Sequence, residues 1–192
     1  MVKCTNLTKE DIKCIGARIA AAFLAEKGAF SVLSMSEAEK TFSLIADICY
    51  QSGHLYTTSE KQEGYCVYWT KRERPGAWTQ LKMGLQMTFC LSIQSGMAFM
   101  KSQSNWIPTE KRYKDADDFV EVFLLAVRKE YQGQGHFQNM LNEAFTLAEK
   151  RNTICVLDTD AQIKAEKYCH AGMHIVDQKI QKSGITMFAL ER

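Results

Sequence analysis

Eleven residues, Val127-Arg-Lys-Glu-Tyr-Gln-Gly-Gln-Gly-His-Phe137, join an apolar run at 119–127 to an amphipathic run at 134–150. The first run reads as a strand. The second places Phe137, Leu141, Ala144, Phe145 and Ala148 on one helical face. Gly133 and Gly135 admit backbone angles that other residues resist, and they bring no side chain near a ligand. Backbone N–H groups in such a turn converge on the open end of a helix, where the partial positive charge favours phosphate. Two glycine-rich fingerprints fail here. A P-loop needs Gly-Lys-Ser/Thr after four intervening residues, and none follows. The dinucleotide fingerprint needs a third glycine three residues after Gly135, where Gln138 stands.

The rest of the chain frames this turn. A strand at 153–157, a short helix at 162–171 and strands at 174–182 and 185–190 follow it, the last two turned at Ser183–Gly184. That order is an α/β unit. Before it come a strand at 1–6, a helix capped by Thr8 and Asp11, a second helix over 36–50, and a hairpin of 54–59 with 64–71. The stretch 78–102 reads as one helix with apolar groups on several faces, sandwiched in the core or lining a pocket. Residues 103–118 read as a loop or an extension of that helix. One domain over 1–192 is expected, with a helical elaboration at about 76–112.

Charge and cysteines limit the function. Lys plus Arg is 24 and Asp plus Glu is 22, so a nucleic-acid partner, which calls for a basic excess or stripe, is not expected. Seven cysteines at wide spacing, with no Cys-x-x-Cys pair, point to small apolar side chains in a reducing cytoplasm and not to a disulfide framework or a metal site. The N-terminus carries no signal-peptide pattern. The uncharged stretch 83–100 is too polar for a spanning helix, so no membrane partner is expected.

The strand and turn resemble the signature of the GCN5-related N-acetyltransferase (GNAT) superfamily: Gln or Arg, two residues, Gly, one residue, then Gly or Ala. Gln132 and Gly135 match, and Phe137 replaces the final small residue. Tyr168-Cys-His-Ala-Gly-Met173, after Leu157-Asp-Thr-Asp160, is similar to the family's Tyr-x-x-x-Gly-Phe/Met element. The two motifs cover about 121–192. A further departure is Ala161, where many members have asparagine; Lys164 also stands where a small residue is usual.

The resemblance implies a mixed, strongly twisted central sheet with helices on both faces, the acyl-CoA N-acyltransferase architecture. It implies transfer of an acetyl group from acetyl-CoA to a primary amine of a small molecule, releasing CoA. The main chain of Leu125, Ala126 and Val127 would line a pantetheine slot opened by a strand bulge. The turn Gln132, Gly133, Gln134, Gly135, His136, Phe137 would hold the diphosphate. Tyr168 would touch the cofactor and protonate the leaving thiolate, and Glu121 would be the general base. An alternating strand puts Glu121, Phe123, Leu125 and Val127 on one side until a bulge intervenes. No metal is expected. The amine's wall is expected around 30–33, 69–78 and the helix 78–102, with Trp69, Trp78, Met83, Met87 and Phe89. Alternatives are a catalytically weak acyl-CoA-binding or regulatory module, and use of a longer acyl donor. The closing hairpin permits a homodimer.

Overall fold

The computed structural model describes residues 1–192, leaving out the side chains of Ala77 and Glu110. Seven strands form one mixed sheet in the order β1-β2-β3-β4-β5-β7-β6. They are β1 Val2–Lys3, β2 Leu55–Thr57, β3 Gly64–Thr70, β4 Val120–Val127, β5 Cys155–Thr159, β6 His174–Ile180 and β7 Thr186–Glu191. All neighbouring pairs are antiparallel except β4 and β5, which run parallel.

The helices are α1 Lys9–Leu24, α2 Met35–Gln51, α3 Ala77–Cys90, α4 Ile93–Gln103, α5 Thr109–Arg112, α6 His136–Lys150 and α7 Gln162–His170. Capping boxes start the first two: Thr8 with Asp11, and Ser34 with Glu37. Each satisfies N–H groups that the first helical turn leaves without partners. The expected single helix at 78–102 is two helices. Ser92 breaks it, because its hydroxyl accepts the Ser95 N–H while its own N–H donates to Glu37 Oε1 at 2.8 Å. Helix α3 is also neither sandwiched nor buried. Trp78, Leu81, Leu85 and Phe89 are exposed.

Two apolar clusters hold the sheet. α1 and α2 pack on β2, β3 and the far half of β4 through Ile15, Ile19, Phe42, Leu55, Val67 and Leu124. α6 packs on the near half of β4, β5 and β7 through Leu141, Phe145, Val122, Leu157 and Leu190. One strand serves both clusters because β4 carries a bulge. Val67 pairs with Leu124 and Tyr68 with Val122, so Phe123 is left over. Side chains therefore change face at Phe123. Glu121 and Leu124 lie on the α1–α2 side, and Val122 and Leu125 on the other.

Candidate functional site

Strands β4 and β5 are paired only at Val120–Cys155 and Glu121–Val156. Beyond that point the bulge bends β4 away and the strands part. A cavity of about 460 Å³ opens between them. One wall is β4 from Val122 to Val127, and the opposite wall is the end of β5 with Lys164 and Tyr168 of α7. The turn Gln132, Gly133, Gly135, His136 and Phe137 closes one end, and Phe23, Glu26, Ala29 and Phe30 line the side toward α1.

The turn has the local geometry that its glycines require. Gly133 has φ 76° and Gly135 φ 83°, both left-handed. Gly135 caps α6 with no side-chain hydrogen bond, and the first backbone bond into the helix is Asn139 N–H to Gly135 C=O, at 3.0 Å. A Cβ at either glycine would meet nothing within 4 Å, so conformation and not crowding selects glycine. Gln132 Nε2 donates to Val127 C=O, which ties the loop back to the strand, and Gln134 Nε2 donates to Glu130 C=O within the loop. Arg128 is taken up by Glu130 and by the Tyr131 ring. Open amides at the head of a helix, facing a cavity, suit a diphosphate without further basic side chains.

Tyr168 lines this cavity, and its ring lies 5.2 Å from that of Phe137. Burial pushes its phenol above the ordinary value, and the charges of Asp160 and Glu26 push it the same way. It is a protonated donor at neutral pH.

Glu121 stands behind the cavity wall, close enough to feel the Asp158 charge. It is not among the residues that line the cavity. The bulge sets it on the face opposite Leu125, and its side chain is 8% exposed. Its Oε2 accepts from Trp69 Nε1 at 2.7 Å and pairs with Arg74 Nε at 2.8 Å. Burial raises its pKa, while Arg74 and Trp69 oppose the rise. Of the expected amine wall, Phe30 lines the cavity, while Trp78 and Phe89 lie out in solvent at 78% and 88% exposure. Trp69, Met83 and Met87 are not among the lining residues either.

Three carboxylates on the cavity wall escaped the sequence reading: Glu26, Asp158 and Asp160. Lys167 binds Glu26 at 2.7 Å. Asp160 accepts from the Ala29 N–H at 2.6 Å and from Lys164 Nζ at 2.7 Å, tying the end of β5 to the loop after α1. This gives Lys164 its place, with its ammonium also 5.0 Å from the Phe23 ring. Asp158 accepts from Trp106 Nε1 at 2.8 Å, Thr109 Oγ1 at 3.2 Å and Arg112 Nη1 at 2.9 Å. A signal was present in the sequence, since alternation sets Asp158 and Asp160 on one face of an apolar strand.

No family model matches the chain, and no curated protein matches it. Solved structures share its fold. The C-terminal condensation domain of Ebony in complex with beta-alanyl-dopamine superposes with a TM-score of 0.60 at 9% identity, over 97% of this chain and 95% of that one. Arylalkylamine N-acetyltransferase 2 from Aedes aegypti gives 0.60 at 10% identity, over 98% and 96%. A mosquito arylalkylamine N-acetyltransferase like 5b gives 0.59 at 14% identity, over 100% and 97%. No helix among the described residues is long and apolar enough to cross a membrane.

Proposed function

We propose that this chain, which has the fold of the GNAT acetyltransferases, transfers an acetyl group from acetyl-CoA to a primary amine of a small molecule. The observation that carries the reading is a single cavity lined by three features at once: the parted strand β4, the uncapped head of α6, and the Tyr168 hydroxyphenyl ring. A thioester is already activated, so the protein's work is placement and charge management. The amides of the turn from Gly133 to Phe137 hold the diphosphate. The main chain of Leu125 to Val127 has antiparallel partners in β3 alone beyond the parting, which leaves its other edge for a pantetheine chain. Tyr168 gives its proton to the departing thiolate, a role suited to a phenol that burial keeps protonated.

The acceptor is an amine with an apolar body. Phe23, Phe30 and Phe123 line the cavity together with carboxylates, a mixture that fits an ammonium joined to a hydrocarbon or aromatic group. The mosquito proteins named above are arylalkylamine N-acetyltransferases by name, which agrees with that choice.

Acetyl-CoA is expected to raise the melting temperature of the protein. Turnover is expected with 2-phenylethylamine, and Tyr168→Phe should lower it by roughly 10–100-fold, within or below the usual range for proton-transfer catalysis. No shift and no turnover with any amine would end the reading. Unchanged turnover in Tyr168→Phe would remove Tyr168 from it.

A further inference from the structure

Resting on that reading, we infer that Asp158 receives the acceptor amine: its carboxylate binds the incoming ammonium and takes the proton that must leave before nitrogen attacks the thioester. The argument begins with position. A ligand whose diphosphate sits at Gly133–Phe137 and whose chain follows β4 backward reaches the bulge at Phe123, beside the point where β4 and β5 part. Asp158 is two residues beyond Val156, the last residue of β5 that pairs with β4, and it lines the same cavity.

The other carboxylates are less well placed. Glu121 is not among the lining residues, and its side chain is 8% exposed. Asp160 is 11% exposed, bound by the Ala29 amide and Lys164, while Asp158 is 23% exposed. Glu26 is on the α1 side, paired with Lys167.

Acceptor capacity points the same way. An ionised carboxylate offers about four lone-pair sites. Among the described residues, Trp106 and Thr109 occupy Oδ2, and Arg112 alone occupies Oδ1. Oδ1 therefore keeps a site for an ammonium N–H. The three donors also fix the carboxylate's orientation, which a positioned base requires.

The charged groups around Asp158 come from four elements. Arg112 of α5 pairs with it and also reaches Asp177 of β6 at 3.3 Å. Glu121 of β4, with Arg74 beside it, lies on the same sheet face, as does Glu191 of β7, which is bonded by Tyr113. Burial raises the Asp158 pKa, and Trp106 and Arg112 hold the rise in check.

The protons balance. The ammonium gives one to Asp158, which returns it to solvent through the open cavity. The neutral amine attacks the thioester carbonyl, the C–N bond forms and the C–S bond breaks. The thiolate takes the Tyr168 proton, and the second proton lost by nitrogen restores the phenol. The products are the amide and free thiol.

The test compares wild type, Asp158→Asn, Asp158→Glu and Glu121→Gln, using acetyl-CoA and 2-phenylethylamine. Asp158→Asn should keep the thermal shift given by acetyl-CoA and lose the further shift given by the amine. Its kcat/KM for the amine should fall by about 10²–10⁴-fold, with KM for acetyl-CoA unchanged. The acid limb of the kcat/KM–pH profile should disappear in Asp158→Asn and survive in Asp158→Glu. A limb that persists in Asp158→Asn but vanishes in Glu121→Gln overturns the inference. Should Asp158→Asn not fold, Asp158→Glu decides: activity with a displaced acid limb supports the role, and a profile identical to wild type refutes it. Failure of wild type to use acetyl-CoA at all is a different result and strikes the function proposed above.

Discussion

The ring of Phe137 lies against the ring of Tyr168, with centroids 5.2 Å apart and planes inclined by 52°. The position where the GNAT signature has a small residue thus supplies a wall for the tyrosine on the facing helix. Phe137 stands at the head of α6 beside the open amides, and its side chain fills space between α6 and α7. Phe137→Ala should therefore lower stability by less than the ~3–5 kcal/mol of a fully buried phenylalanine, since Phe137 is only half-buried. The acetyl-CoA thermal shift should survive. Chemical denaturation of both proteins, with and without acetyl-CoA, measures the two effects separately. A variant that no longer responds to acetyl-CoA would show that the ring itself belongs to the binding turn.

Gly135 has φ 83° and open space where a Cβ would stand. Gly135→Ala should cost about 1–2 kcal/mol for the left-handed conformation, with no steric contribution. Acetyl-CoA should bind more weakly in proportion to any rotation of the amides. Calorimetric titration reads the affinity, and an unchanged affinity would mean that the turn keeps its shape or that its amides do not bind.

Gly28 is under a different constraint. Its φ is −158°, ordinary extended backbone, but an added Cβ would lie 2.4 Å from Asp160 Oδ2. Gly28→Ala must push aside a carboxylate held by the Ala29 amide and Lys164, with a cost of about 1–3 kcal/mol. In an Asp160→Ala background the same change should cost much less. Equal costs in both backgrounds would contradict the contact.

Much of this frame is legible in the sequence, for local reasons. The glycines at 133 and 135, the Thr8–Asp11 capping box and the 3.6-residue spacing of Phe137, Leu141, Ala144, Phe145 and Ala148 are local signals, and each lies where it was expected. Strand β5 runs two residues farther than expected, to Thr159, because antiparallel pairing with β7 carries Asp158 and Thr159 along. Distant contacts were not legible. The break between α3 and α4 depends on Glu37, 55 residues before Ser92. Asp158 depends on Trp106 and Arg112, which come from a segment that reads as a loop or a helix extension. Glu121 and Leu125 share a side in a regular strand, and a bulge that no local pattern marks parts them.

Stability in acid should depend on Glu63. Hydroxyls of Thr58 and Ser59 donate to its Oε2 at 2.6 and 2.7 Å and hold its pKa down, from 4.5 to about 2. A lowered carboxyl pKa means that the unfolded chain binds the proton more readily. Its stabilisation is therefore complete above pH 4.5 and disappears as pH falls toward 2. Melting curves across that window should fall less steeply for Glu63→Gln than for wild type. Parallel curves would contradict the assignment.

A crystal structure of the protein with CoA bound tests the central claim most directly. The account predicts diphosphate oxygens within hydrogen-bond distance of the amides between Gly133 and Phe137, with the pantetheine chain running along Leu125–Val127 and its sulfur near Tyr168. A turn left bare, with CoA absent or lying outside the gap between β4 and β5, would contradict it.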